Sequence, residues 1–181
     1  MNSTQITKQM ADFHLVEGLY LSAFPPEERE PLSLLLSRAK RGRARFEAHY
    51  DNGEFVGLSS VATVGGLAYV QYLAVVADKQ SKGYGGRILA HIKETHPQLR
   101  IFLNMEILDG QAANAEQREK RRAFYIRNGY SPIGLSMTIA GNTLEPMATN
   151  GTCTADELRK FFKSYFGFIL YIFLRVRVWE S

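Results

Sequence analysis

Three runs rich in aromatic and β-branched residues, Arg45 to Tyr50, Glu54 to Val64 and Leu67 to Val76, are separated only by Asp51-Asn52-Gly53 and Gly65-Gly66. Connectors this short join antiparallel neighbours, because a parallel return needs a crossover of about a dozen residues or more. The middle of the chain is therefore expected to be an antiparallel meander. After it the pattern alternates. Tyr84 to His96 reads as a helix with Ile88, Leu89 and Ile92 turned inward, and Arg100 to Ile107 as a strand. Asn114 to Asn128 reads as a helix that Asn114 caps, with Gln117 three residues on and Gly129 closing it. Ile133 to Ala140 and Thr143 to Ala148 form an expected hairpin around Gly141-Asn142. Ahead of the meander, Phe13, Val16 and Tyr20 mark one helix, broken by Pro25-Pro26. Pro31 opens the first turn of a second helix, whose apolar stripe is Leu32, Leu35, Leu36 and Ala39.

The chain has 181 residues, which suits one domain with a short appendage: residues 1–151, then a tail from 152 to 181. Lys plus Arg is 22 and Asp plus Glu is 18, a net charge of +4 that allows an anionic ligand without calling for nucleic acid. One cysteine, Cys153, excludes a disulfide framework and a cysteine-rich zinc site, and points to a reducing compartment. His14, His49, His91 and His96 lack metal-ligand spacing, so no metal is expected. Met1 to Met10 is polar and lacks the apolar run of an export signal, and the apolar stretch around Gly167 to Leu174 is too short to span a bilayer. The expected location is the cytoplasm, without stable membrane insertion. In the tail, Thr154 and Glu157 have capping-box spacing, and Leu158, Phe161, Phe162 and Tyr165 share one helix face. Phe168 to Trp179 fits helix or strand. Core cover or a homodimer contact suits this aromatic tail better than a membrane surface, because an interfacial helix shows a broad polar face.

The strongest chemical signal is Gln80-Ser81-Lys82-Gly83-Tyr84-Gly85-Gly86, between a strand and a helix. Glycines let the backbone turn sharply and approach a ligand, and a helix N-terminus offers unpaired N–H groups and a favourable dipole to an anion. Lys82 and Arg87 add positive charge. No Lys follows Gly86, so this is not a Walker loop, and the glycine spacing is not the dinucleotide fingerprint. A Gln-x-x-Gly-x-Gly turn remains, either a phosphate cradle or a structural loop.

Leu73-Ala74-Val75, Gln80-x-x-Gly83-Tyr84-Gly85, Phe124-Tyr125 and Asn128-Gly129-Tyr130, in this order and separation, resemble the GNAT superfamily of acyl-CoA N-acyltransferases over roughly residues 46–148. The resemblance implies an α/β (α+β) fold with a mixed, mostly antiparallel sheet flanked by helices. That sheet is splayed between its fourth and fifth strands, here Leu67 to Val76 and Arg100 to Ile107. It implies an acetyltransferase that moves an acetyl group from acetyl-CoA to a primary amine, by direct attack through a tetrahedral intermediate. The acceptor is a small molecule or a protein. The coenzyme A contacts it implies are Leu73, Ala74 and Val75 for pantetheine and Gln80, Ser81, Lys82, Gly83, Tyr84, Gly85, Gly86 and Arg87 for pyrophosphate. Tyr125 matches the tyrosine that serves the departing thiolate. Family members often carry a Glu or His base on the fourth strand, where this chain has Tyr69, Gln71 and Tyr72. Glu106 is the best carboxylate available for that role, since alternation sets it on one face with Asn104.

Several further readings stay open. The basic run Arg118, Lys120, Arg121 and Arg122 suits CoA phosphates or a solvated helix face. Glu27, Glu28 and Glu30 suit a cationic acceptor or a helix dipole. A CoA-binding module without turnover is the alternative to an enzyme.

Overall fold

The computed structural model describes residues 1–181. They form two compact units, Met1–Thr63 with Val70–Pro97, and Val64–Tyr69 with Gln98–Ser181. No helix is long and apolar enough to cross a membrane.

The first unit contains β1 (Asn2–Gln5), α1 (Phe13–Ala23), α2 (Leu32–Lys40), β2 (Ala44–Asp51), most of β3 (Glu54–Val64), β4 (Leu67–Val75) from Val70 onward, and α3 (Tyr84–Thr95). The strands follow the order β1-β2-β3-β4, so the expected meander forms. Its core joins Val16 and Tyr20 of α1 and Leu35 of α2 to Phe46, Ala48, Leu58, Tyr72 and Ala74, where the helical spacing and the strand alternation both place them. Pro31 sits one position earlier than expected, at the N-cap of α2 rather than in its first turn. The strand β1 has no apolar alternation to announce it. Its pairing with β2, from Asn2 opposite Tyr50 to Gln5 opposite Glu47, is made by backbone groups at a polar sheet edge.

His49 is fully buried in this unit, with Nδ1 2.8 Å from Ser3 Oγ and Nε2 2.8 Å from Ser59 Oγ. Burial pushes its pKa down to about 4, against the pull of Glu47. An unfolded histidine titrates near ~6.5, so the unfolded chain binds the proton first and acid favours unfolding. The His49 contribution is fully present above pH ~6.5 and is lost as pH falls toward about 4. Urea titrations at pH 8 and pH 5 should differ by about 2 kcal/mol, and His49→Gln should remove most of that difference. Equal slopes of stability against pH in both proteins would count against this assignment.

The second unit contains the start of β4, β5 (Arg100–Glu106), α4 (Ala115–Arg127), β6 (Ser131–Pro132), β7 (Leu135–Ile139), β8 (Asn142–Thr149), α5 (Ala155–Phe166), α6 (Phe168–Phe173) and β9 (Arg177–Glu180). The strand order is β4-β5-β8-β7-β9, with β6 beside β8. Only β4 and β5 pair in parallel, through Leu67 with Arg100, Ala68 with Ile101 and Tyr69 with Phe102. Their register ends there, although β4 continues to Val75 and β5 to Glu106. The expected late hairpin forms, but its first strand starts early as β6 and is interrupted at Gly134, whose φ is +72°.

Phe168 to Trp179 contains both of the structures that its periodicity allows, a short helix and then a strand. The capping box of α5 is complete: the Glu157 N–H donates to Thr154 Oγ1 at 3.3 Å, and Glu157 accepts from the Thr154 N–H at 2.9 Å. Arg100 donates to both Glu157 oxygens at 2.6 and 3.0 Å, and this arginine is the main reason the carboxyl is held down at about 2. Leu158, Phe161 and Phe162 are buried. Phe161 meets Phe102 edge-on at 5.1 Å, Phe162 meets Tyr69 at 5.3 Å, and Tyr69 stacks on Phe102 at 4.9 Å. The tail thus covers the strands of this unit, and β9 pairs with β7.

Candidate functional site

The turn expected to hold an anion lies in the first unit. Beyond β4 the chain makes a 3-10 turn at Ala77–Lys79. It then takes left-handed backbone at Ser81 (φ +60°) and Gly83 (φ +85°) before entering α3. A Cβ on Gly83 would have open space, so the glycine serves its conformation rather than its volume. Gly83 is the N-cap of α3, and no side chain caps the helix. The first-turn N–H groups are therefore not satisfied by a protein side chain, which fits an anion at this end. Gln80 turns its side chain back to donate to the Val75 carbonyl at 3.2 Å, bracing the turn against the strand. Leu73 and Val75 are half-buried on one face of β4, while Ala74 is buried on the other.

Asp51, which the sequence marks only as a turn residue, holds this corner. Arg87 donates to both its oxygens at 2.9 Å, and the Tyr84 hydroxyl donates at 3.1 Å. Those bonds, from Arg87 first, lower the Asp51 carboxyl to about 2. Two of the Arg87 donors expected at the phosphate are thus engaged by Asp51, whereas Lys82 is exposed. No spacing rule links Asp51 to a helix so far along the chain.

A second contact fixes the strand that leads into the turn. An added Cβ on Gly57 of β3 would lie 2.4 Å from the Ala74 carbonyl oxygen and 3.1 Å from Ile88 Cδ1. Real Cβ atoms do not come so close to backbone, so Gly57→Ala is expected to cost about 1–3 kcal/mol as strands shift, measured as a lower urea midpoint at unchanged slope. An unchanged midpoint would mean that β3 and β4 separate without penalty.

Tyr125 and Glu106 lie in the second unit. Tyr125 is in the last turns of α4, half-buried, with Phe124 at 5.3 Å and Tyr130 at 6.1 Å between ring centres. Burial pushes the Tyr125 hydroxyl pKa up; Arg121 opposes this and Glu106 adds to it. The phenol therefore stays a proton donor at neutral pH. Glu106 ends β5, and its Oε2 accepts a short bond from Arg121. Its Oε1 accepts from Asn114 at 3.4 Å. Asn114 does not cap α4 with its side chain, as its position suggested; Arg118 donates to its Oδ1 at 2.8 Å and the amide reaches Glu106 instead.

Each member of the basic run finds a partner within the protein. Arg118 also donates to the Ile107 carbonyl at 2.8 Å, Lys120 pairs with Glu116, Arg121 with Glu106, and Arg122 lies 3.3 Å from Glu145. The Lys120–Glu116 and Arg118–Asn114 pairs have helical i,i+4 spacing; the contacts to Ile107, Glu106 and Glu145 come from the fold. In the early acidic stretch, Glu30 pairs with Arg38. Tyr72 donates to the Glu28 carbonyl at 2.7 Å and accepts from the Glu30 N–H at 3.0 Å. Cys153 is buried, which pushes its thiol up to about 11 and keeps it protonated.

Residues 43–132 match the family model described as an acetyltransferase (GNAT) domain. No curated protein matches the chain by sequence. Among solved structures, a GNAT-family protein from Bacteroides thetaiotaomicron is 22% identical with a TM-score of 0.73, over 94% of this chain and 98% of that one. An aminoglycoside 6'-N-acetyltransferase complexed with coenzyme A is 18% identical with a TM-score of 0.63, over 82% of this chain and 96% of that one. The ribosomal-protein-S18-alanine N-acetyltransferase from Escherichia coli is 17% identical with a TM-score of 0.60, over 84% of this chain and 95% of that one.

Proposed function

Since residues 43–132 match the GNAT acetyltransferase domain, we propose that the chain transfers an acetyl group from acetyl-CoA to a primary amine. The observation that carries this reading is the uncapped N-terminus of α3, entered through left-handed backbone at Ser81 and Gly83 directly after β4. An extended phosphorylated thioester suits that arrangement. Main-chain amides from Gln80 to Gly86 take the pyrophosphate, with Lys82 as the side-chain cation. Leu73, Ala74 and Val75 close β4 just ahead of that turn, so the amides of pantetheine can pair with them as an added strand.

Acetyl-CoA supplies an activated acyl carbon. In the transfer a C–N bond forms and the C–S bond breaks; the amine gives up a proton and the thiolate takes one. We assign the thiolate proton to Tyr125, whose raised pKa keeps it available. The N–H of Leu73 or Ala74 is assigned to the charge that builds on the acyl oxygen. The bonds that Glu106 accepts from Arg121 and Asn114 favour a charge-setting role beside Tyr125 over proton abstraction. Water then carries the amine proton, which suits a β4 that offers Tyr69, Gln71 and Tyr72 and no carboxylate or imidazole.

The acceptor is a primary amine; the neighbours named above, for an aminoglycoside and for a ribosomal-protein alanine, mark small-molecule and protein amines as the two arms to test. A panel of both, with release of free thiol as the readout, tests the proposal. Steady consumption of acetyl-CoA supports an enzyme. Tight CoA binding with no thiol release across the panel supports the second reading, an acyl-CoA-binding module, which the missing β4 base favours.

A further inference from the structure

Leu158 to Trp179 holds five cations, Arg159, Lys160, Lys163, Arg175 and Arg177, and no acid. Within it α6 is Phe-Ile-Leu-Tyr-Ile-Phe, and none of its residues is buried. Phe168 is 62% exposed, Ile169 85%, Ile172 56% and Phe173 79%. This is a protruding apolar turn, not a core helix, and a solvated protein gains nothing by presenting it to water. Lys160, Lys163, Arg175 and Arg177 are exposed around it, and Lys163 Nζ stands 5.3 Å from the Phe168 ring. Arg175 and Arg177 line a surface groove with Trp179, Thr138 and Gly141. The helix end is fastened next to that groove, where the Ala140 N–H donates to the Leu174 carbonyl at 2.8 Å.

We propose that this tail docks the protein reversibly on an anionic lipid surface. The apolar side chains of α6 enter the boundary between head groups and acyl chains, while the flanking cations hold lipid phosphates. The broad polar face that α6 lacks within its own sequence is supplied by the elements on either side of it. The charge pattern selects this occupant over a second copy of the chain. A symmetric contact through α6 would bring two copies of the exposed cations Lys160, Lys163, Arg175 and Arg177 together, and like charges facing each other are destabilising. The helix is about 9 Å long at ~1.5 Å per residue, which fits the interface and falls far short of a ~30 Å span.

Co-sedimentation with phosphatidylcholine vesicles, with and without phosphatidylglycerol, tests the proposal. The expected result is binding to the phosphatidylglycerol vesicles only, weakened by salt. Binding should fall at least about tenfold in an Ile169→Asp/Phe173→Asp variant and again in Arg175→Glu/Arg177→Glu. All four side chains are exposed, so both variants should melt as the parent does, and thermal unfolding confirms it. Absence of binding to either vesicle, equal binding to both, or binding that survives both variants overturns the proposal. So does a parent dimer in sedimentation velocity that the Ile169→Asp/Phe173→Asp variant splits, since a second copy would then be what covers α6.

Discussion

A Gly85→Glu variant is expected to lose coenzyme A binding by between about a hundredfold and a thousandfold while keeping its fold. Gly85 lies in the first turn of α3, where no side chain caps the helix. A carboxylate there is good for the helix itself, by ~0.3–1 kcal/mol, because it answers the helix dipole. For the same reason it occupies the place of the phosphate and repels it. Two like charges about 4 Å apart cost ~4 kcal/mol at an intermediate dielectric. The two effects have opposite signs on two measurements. Thermal unfolding should show a variant as stable as the parent or slightly more so, and calorimetry with CoA should show almost no heat of binding. Unchanged affinity would remove the α3 turn from the binding site.

A Tyr125→Phe variant should turn over at least about a hundredfold more slowly, with CoA affinity changed less than about threefold. Proton transfer by a placed side chain contributes ~10²–10⁴ in rate, and the substitution removes the O–H while leaving the ring. The ring keeps its packing against Phe124 and Tyr130, so the end of α4 should not move. Thiol release gives the rate and calorimetry the affinity. Equal rates would leave Tyr125 as one more aromatic at a helix end. Burial raises the pKa of the Tyr125 hydroxyl, so ionisation of this group should not limit the rate through neutral pH.

Much of the fold is legible in the sequence because it rests on local rules. Two short turns dictate the β2-β3-β4 meander, helical spacing places Val16, Tyr20 and Leu35 inside, and the Thr154–Glu157 box starts α5 where expected. The polar β1 escapes, since its backbone pairing with β2 and the Ser3–His49 contact leave no apolar alternation in the sequence. The candidate site divides along the same line. The turn from Gln80 to Gly86 is a local object and can be read; Asp51, which fastens it, cannot. Glu106 is legible as a strand-end carboxylate, but its short bond with Arg121 is not. Nor does the Arg118–Asn114 contact follow from the capping rule, which gives Asn114 a different task.

The division of the chain into units has a consequence for biosynthesis. Every residue of the first unit, cradle turn included, precedes Gln98, so the ribosome has delivered all of it before most of the second unit exists. The second unit is in the opposite position: α5, which shields Phe102, and β9, which completes the hydrogen bonding of β7, are translated after the strands they protect. Domains fold as they emerge, N-terminal parts first. While β5 and β7 have emerged and α5 and β9 have not, Phe102 and one edge of β7 lack the elements that cover them.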